Sequence, residues 1–240
     1  MLTFQQTALL LSVIWLVPVA VRFRRSIIVL VGGLVAIGLY TLAAFAYGEV
    51  TLGDLGLGIP DSWLPTIGLA LAWLGLMLAC SPLADWLATR WIDKPPTLES
   101  FRALQQSRAK LIAGIVVAWV LGGILEELVF RGIVLRSVES GLTAWLGGPI
   151  ATPVAVCVAA LGAGVIHFYQ GPRAVIIITQ LSILLGVLFV VSGYNLWAVM
   201  LCHGLYDTVA FVRFANKTSK YSKLDGDQAI VAPPKNETTD

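Results

Sequence analysis

The stretch AVIIITQLSILLGVLFVVSGYNLWAVMLC, residues 174–202, decides the fold, because Tyr194 and Cys202 are its only ionisable side chains. Two further uncharged runs cover residues 26–48 and 62–84. A run of about 20 apolar residues is long enough to cross a bilayer as an α-helix. Each of these runs therefore predicts at least one membrane-spanning helix.

The overall composition agrees with a membrane protein. Of the 240 residues, 58% are hydrophobic and 12% are charged, whereas soluble domains average about 25% charged residues. So few charges cannot cover a surface exposed to water, which excludes a soluble globular protein. The net charge is +2 and no part of the sequence forms a basic domain, so the sequence indicates no nucleic-acid partner. The three cysteines lie in apolar runs and are interpreted as small buried residues.

The apolar runs predict an all-α, polytopic transmembrane bundle of about seven spans, within a range of six to eight. The predicted helices cover residues 5–21, 26–47, 62–82, 111–138, 150–168, 174–191 and 195–213. Residues 97–110 follow Pro95-Pro96 and predict a short helix on the membrane surface, with Thr97 as its N-cap. The first apolar run, residues 5–21, is interpreted as a retained helix and not as a signal peptide. A signal peptide has basic residues before its apolar run, whereas the first basic residue here, Arg22, comes after it.

Charge distribution predicts domains and orientation. Residues 1–215 are expected to form one integral membrane domain, and residues 216–240 a polar, disordered cytoplasmic tail. Basic residues cluster at 22–25, 90–110 and 213–223, and with seven spans the positive-inside rule places all three clusters in the cytoplasm. Arg131 and Arg136 conflict with this count. Either they belong to a buried site, or residues 133–148 form a re-entrant helix.

Charged side chains inside a membrane are costly and therefore indicate function. In GGILEELVFRG, residues 122–132, Glu126 and Glu127 follow an uncharged run, and Arg131 comes four residues after Glu127. Four-residue spacing on a helix pairs Glu127 with Arg131, while Glu126 points about 100° away from its neighbour. The pairing neutralises one carboxylate and leaves the other available as a general base.

Both histidines of the chain, His167 and His203, lie at or near membrane depth, and Asp207 shares one helical face with His203. A carboxylate and an imidazole can together deprotonate water, and a second imidazole can donate a hydrogen bond to the oxyanion. This combination predicts a hydrolase without a covalent nucleophile. Each feature alone has a structural explanation, as a helix–helix ion pair, a satisfied core histidine or a helix cap. Their combination on three helices favours a site.

Two other chemistries are possible for the same residues. A serine nucleophile is weakly supported, because there is no GxSxG and neither Ser182 nor Ser192 has an obvious base nearby. A cysteine nucleophile at Cys202 is weak because the adjacent histidine points about 100° away on a helix. No cofactor is expected. Catalytic zinc, held by two histidines and a carboxylate, stays open as an alternative although HExxH is absent. Its ligands would be Glu126, His167 and His203.

These motifs resemble those of the CPBP family, which includes CAAX proteases and bacteriocin-processing proteins. EELVFR at 126–131 is similar to the family's EExxxR, and HGLYD at 203–207 is similar to its HxxxN/D. His167 matches the histidine of the middle motif, FxxxH, with Ala163 in place of the phenylalanine. TLGDLGL at 51–57 resembles an upstream LGL segment, so the motif-bearing core covers about residues 50–212. The resemblance implies a polytopic, glutamic-type intramembrane endopeptidase.

The resemblance also implies roles for the water-activating side. Glu126 would activate the attacking water with His167 as its partner. Glu127 and Arg131 would support and orient that site.

On the oxyanion and substrate side the resemblance implies His203 and Asp207. Many members have asparagine where this chain has Asp207. An ionised aspartate would repel an oxyanion, so Asp207 is expected to be protonated, to pair with His203 or to be a metal ligand.

Three classes of function remain after these considerations. The first is an endopeptidase of a bacterial inner membrane, whose partners are a membrane-associated protein or peptide substrate and the lipid bilayer. The second is a non-enzymatic bacteriocin-immunity or scaffold protein, against which the complete set of polar residues argues. The third is a proton-coupled transporter, which would be expected to show repeated halves with broken helices. No convincing repeat is present, and the endopeptidase is favoured.

Overall fold

The computed structural model describes residues 3–22 and 26–231, apart from the side chains of residues 5, 20, 21 and 217–231. This part of the chain contains eight α-helices and no strand, which confirms the all-α class. The helices are α1 (Phe4–Val21), α2 (Ile27–Ala46), α3 (Trp63–Thr89), α4 (Arg108–Ala118), α5 (Arg136–Leu146), α6 (Gly148–Ile166), α7 (Pro172–Val191) and α8 (Leu196–Val231).

Within the described residues, six helical segments are long and apolar enough to cross a membrane. They are Ile27–Ala46, Trp63–Thr89, Arg108–Leu146, Gly148–Gln170, Pro172–Val191 and Leu196–Asn216. α1 contributes a shorter apolar helix over Gln6–Val19. Large apolar side chains such as Ile28 and Leu64 are about four-fifths exposed on the outer faces, at 82% and 80%. Lipid is the solvent that tolerates such faces, and the protein is an integral, multi-pass membrane protein.

The segment Arg108–Leu146 is one continuous helix of 39 residues, called the long helix below. Two π-helical segments, Trp119–Glu126 and Leu128–Leu135, connect α4 to α5. The predicted end near residue 138 is therefore too early, and the re-entrant helix over 133–148 is wrong, because α5 continues the same helix. π-Helical segments are rare and frequently accompany functional sites.

The two arginines that conflicted with the predicted topology have separate explanations. Arg131 is buried, with 1% of its surface exposed. Arg136 lies where the long helix meets two loops: its Nη1 donates to the carbonyl of Gly53 over 3.3 Å, and its guanidinium lies 5.4 Å from the ring centre of Tyr194. Arg131 thus belongs to a buried site, and no additional membrane crossing is needed to account for either charge.

Hydrogen bonds between loops define two ends of the bundle. One end carries the basic cluster at 90–110, between α3 and α4, and we call it the basic end. There the Thr97 amide donates to the carbonyl of Gln170 over 2.7 Å, and the buried Arg173 donates from Nη2 to Asp85 over 2.7 Å. At the opposite end, the Leu196 amide donates to the carbonyl of Gly56 over 2.8 Å. The LGL loop is thereby attached to the start of α8.

The segment between α3 and α4 differs from the predicted surface helix. Its helical part is a 3₁₀ helix over Glu99–Gln105, preceded by Leu98. Thr97 is not its N-cap, because the helix begins at Glu99 and Leu98 occupies the cap position. Phe101 packs on the ring of Phe211 at 5.3 Å, and Gln105 donates to the carbonyl of Phe214 over 3.2 Å. The segment therefore packs on α8.

The backbone of α8 continues to Val231, beyond the predicted end at residue 213. In the predicted tail, 216–240, the structure describes the backbone but not the side chains of residues 217–231. Residues 232–240 lie outside the described part of the chain. Arg24 and Arg25, two of the basic residues used for the orientation, also lie outside it. The tail and the position of the first basic cluster stay predictions.

Candidate active site

Glu126 and Glu127 lie where the two π-helical segments of the long helix meet. Glu126 ends the first segment, and Glu127 stands directly before the second. The two residues are 9% and 0% exposed. Two adjacent carboxylates are thus enclosed by the bundle, and each requires compensating donors.

Glu127 and Arg131 form a buried ion pair, with Arg131 Nη1 donating to Glu127 Oε1 over 3.0 Å. This confirms the pairing predicted from their four-residue spacing. Arg131 Nη2 also reaches α7, where it donates to the carbonyl and to the Oγ of Ser182 over 2.8 and 2.5 Å. Arg131 therefore compensates Glu127 and links the long helix to α7.

The Ser182→Ala variant is expected to lower the free energy of unfolding by about 1–3 kcal/mol. The substitution removes one acceptor of a buried guanidinium, while the main-chain carbonyl of residue 182 remains as the other. Thermal unfolding in detergent measures the loss, and Ser192→Ala, which lies outside this contact, is the matched control. An unchanged unfolding temperature for Ser182→Ala would show that the hydroxyl contact contributes nothing.

His203 connects Glu127 to Asp207. Its Nδ1 lies 2.5 Å from Glu127 Oε1, and its Nε2 lies 3.6 Å from Asp207 Oδ2. An ionised carboxylate can only accept a hydrogen bond, so Nδ1 is the donor to Glu127. We call these four linked residues, Arg131, Glu127, His203 and Asp207, the Glu127 chain.

His167 follows the last residue of α6 and faces Glu126. Its Nδ1 lies 2.8 Å from the carbonyl of Ala163. A carbonyl only accepts, so Nδ1 carries the proton and the neutral ring has its lone pair on Nε2. Nε2 lies 3.9 Å from Glu126 Oε1. The carbonyl of Ala163 orients the ring, so the alanine side chain that departs from the family motif is not involved.

The structure therefore brings all six predicted residues together in two groups. The first is the Glu126–His167 pair, and the second is the Glu127 chain. They share the junction of the long helix, with His167 supplied by the end of α6 and His203 by α8. Sequence reasoning did not specify that the second histidine contacts Glu127 rather than Glu126.

The serine and cysteine alternatives gain no support from the geometry. The Ser182 hydroxyl accepts from Arg131, and the Ser192 hydroxyl donates to the carbonyl of Phe189 over 3.0 Å. Cys202 is buried, with its Sγ lying 3.6 Å from the Sδ of Met77. None of these three side chains has a histidine or carboxylate as its hydrogen-bond partner.

Metal ligation was the other alternative. Among the residues that the structure describes, no group of three or more His, Cys, Asp or Glu side chains is arranged to hold a metal ion. Metal dependence stays a prediction for experiment.

Two residues of the site were not identified from the sequence. Ser182 is one, and an isolated serine in an apolar run gives no signal for an arginine partner. Gly122 is the other: a Cβ at this position would lie 2.9 Å from Asp207 Oδ2 and 3.5 Å from His203 Nε2. A glycine in an apolar run is typical of close helix packing, which describes the adjacent Gly123 well.

Comparison with known proteins identifies the part of the chain that carries this geometry. Residues 108–209 match the family model described as type II CAAX prenyl endopeptidase Rce1-like. This segment is Rce1-like. The Rce1-like segment contains all six predicted residues and confirms the resemblance to the CPBP family, while the LGL loop lies outside the match. No curated protein and no solved structure matches the chain.

The Rce1-like segment is a helical unit that brings acidic and imidazole groups into contact. The family supports CAAX-type intramembrane protease activity on a membrane-associated peptide or protein. It assigns a role to none of the individual residues in this chain.

Proposed function

We propose that the protein is an intramembrane endopeptidase in which Glu126 and His167 activate water, and His203 and Asp207 stabilise the oxyanion. One observation carries the proposal. Glu126 Oε1 and His167 Nε2 face each other at 3.9 Å, and the Nδ1 contact with a carbonyl leaves Nε2 without a proton in the neutral ring.

Two facing acceptors cannot bond to each other, but each can accept from a molecule that has two donors. Water has two donors, and the 3.9 Å separation would let one water lie within hydrogen-bond distance of both atoms. Its lone pairs then point away from Glu126 and His167, toward an incoming carbonyl carbon. The pair is therefore suited to general-base catalysis, which contributes about 10²–10⁴-fold to a rate.

In the proposed reaction, the water oxygen bonds to the carbonyl carbon of the scissile peptide while one water proton moves to the Glu126–His167 pair. The carbonyl oxygen becomes an oxyanion. When the tetrahedral intermediate collapses, the C–N bond breaks and the proton held by the pair passes to the leaving amine. The enzyme returns to its starting protonation state, and no covalent enzyme intermediate forms.

The Glu127 chain supplies the opposite side of this reaction. Glu127 accepts from His203 Nδ1 and thereby fixes the orientation of the ring. In the doubly protonated ring, Nε2–H is available as a donor, and it lies on the side of Asp207. In its protonated form Asp207 adds a second donor, as the asparagine amide of related motifs would. Donors fixed before the reaction stabilise the oxyanion without reorganisation.

The location of His167 indicates from which side substrate is cleaved. His167 follows α6 at the basic end of the bundle, five residues before the start of α7 at Pro172. The positive-inside rule assigns a basic end to the cytoplasm. We therefore propose an enzyme of the bacterial inner membrane with a cytoplasmic C-terminus, which cleaves a CAAX-like tail of a membrane-associated protein near the cytoplasmic face.

A reconstituted protein is expected to cleave a prenylated CAAX peptide in proteoliposomes, and His167→Ala and His203→Ala are each expected to lose about 10²-fold or more in kcat. Ser192→Ala is the control and should retain activity. Cleavage that survives both histidine substitutions would contradict the mechanism. A chelator should leave the rate unchanged. Loss on chelation with recovery by zinc would instead favour a metal site at Glu126, His167 and His203.

A further inference from the structure

We propose that Gly122 is a positioning residue that keeps open the space for the oxyanion between the long helix and the side chains of His203 and Asp207. This inference rests on the proposed function. A Cβ at Gly122 would lie 2.9 Å from Asp207 Oδ2, 3.5 Å from His203 Nε2 and 3.7 Å from His203 Cε1. Gly122 is thus a residue of the long helix that directly faces both proposed oxyanion donors.

The adjacent glycine separates this role from helix packing. A Cβ at Gly123 would meet the backbone of α8, at 3.4 Å from the Cα of Gly204 and 3.5 Å from the carbonyl of Met200. Those are ordinary van der Waals distances, and both neighbours are main-chain atoms. Gly123 therefore lies at a helix–helix contact, whereas Gly122 lies against polar side-chain atoms of the site.

The space at Gly122 is small enough that one methyl group would fill it. Carbon and oxygen atoms of ordinary side chains do not approach to 2.9 Å, so an alanine would push the Asp207 carboxyl group away. An oxyanion needs donors at about 2.7–3.1 Å from its own position. A methyl group at residue 122 would thus both displace one donor and occupy the volume between the two donors.

Adding this methyl group is not expected to lower the stability of the fold. Both glycines lie inside the first π-helical segment, neither has a positive φ, and alanine is intrinsically the better helix former. Gly122→Ala is therefore expected to retain the unfolding temperature of the wild type and to lose about 10²–10³-fold in kcat, the usual effect of removing an oxyanion donor. Gly123→Ala is the matched control, and its kcat should stay within about threefold of wild type.

A second measurement does not depend on turnover. The chain has two histidines, so ¹⁵N-histidine spectra contain two imidazoles, and His167→Ala assigns them. The probe is a prenylated CAAX peptide with a phosphinate in place of the scissile amide, which presents a stable tetrahedral anion. Its titration should shift the His203 resonances in the wild type and in Gly123→Ala, and should leave them unshifted in Gly122→Ala.

The outcomes distinguish a failure of the role assigned to Gly122 from a failure of the proposed endopeptidase function. If the wild type cleaves peptide and Gly122→Ala cleaves it equally well, the role of Gly122 is wrong and the proposed function stands. The role is also wrong if Gly123→Ala loses as much kcat as Gly122→Ala, since the cause is then helix packing. If the wild type neither cleaves peptide nor shows a His203 response to the phosphinate, the proposed function itself fails.

Discussion

Glu126→Gln is expected to lower kcat by about 10²–10⁴-fold while substrate affinity stays within about threefold of wild type. The amide has nearly the shape of the carboxylate but cannot accept a proton from water. Glu126 contacts His167 at 3.9 Å and takes no part in the Glu127 chain, so the substitution should leave the fold intact. Single-turnover cleavage of the peptide in proteoliposomes measures the chemical step.

Glu139→Gln is the matched control for this variant. Glu139 lies on the same long helix, in α5, where it accepts from the hydroxyls of Thr152 and Tyr194. It is remote from the Glu126–His167 pair, at the end of the bundle opposite the basic end. Its amide should retain wild-type kcat. A Glu126→Gln protein that cleaves as fast as Glu139→Gln would show that Glu126 is not the base.

Arg131→Met is expected to lower the free energy of unfolding by about 3–5 kcal/mol and to abolish activity. The guanidinium is 1% exposed and donates to Glu127 and to Ser182. Methionine leaves the Glu127 carboxylate, which is 0% exposed, buried without its arginine partner, with His203 as the remaining donor. Thermal unfolding in detergent should show a large decrease in the midpoint.

The double variant Glu127→Leu/Arg131→Met separates stability from catalysis. Replacing both members of a buried ion pair with apolar residues of similar size is often neutral or stabilising. The double variant should therefore recover most of the unfolding midpoint but stay inactive, because His203 has lost the acceptor that orients its ring. If Arg131→Met unfolds at the wild-type temperature, the pair contributes little to the stability of the bundle.

The sequence predicted the helices well and some of their ends poorly. α2 and α7 follow uncharged runs of about the length of a bilayer, so their limits agree within two residues. The long helix continues to Leu146, well beyond its predicted end at residue 138, and the polar residues Arg136 and Glu139 near that end have tertiary partners. Their partners, Gly53, Tyr194 and Thr152, belong to other parts of the chain.

Thr97 shows the same limit for local signals. Its position after two prolines predicted a helix cap. The helix instead begins at Glu99 after Leu98, and the Thr97 amide donates to the carbonyl of Gln170, which is far away in sequence. A local motif competes with tertiary hydrogen bonds, and the outcome depends on where the chain folds back.

The sequence alone determined the membrane environment, the all-α class, the six polar residues and the Glu127–Arg131 pair, since apolar run length and four-residue spacing are local properties of a helix. Only the tertiary structure decided that His167 faces Glu126, that His203 bonds to Glu127 and that Gly122 borders Asp207. Those contacts depend on how α6 and α8 are rotated about their axes, and shifted along them, relative to the long helix. Packing across the whole bundle sets this rotation and axial shift, so the sequence of a single segment does not determine them.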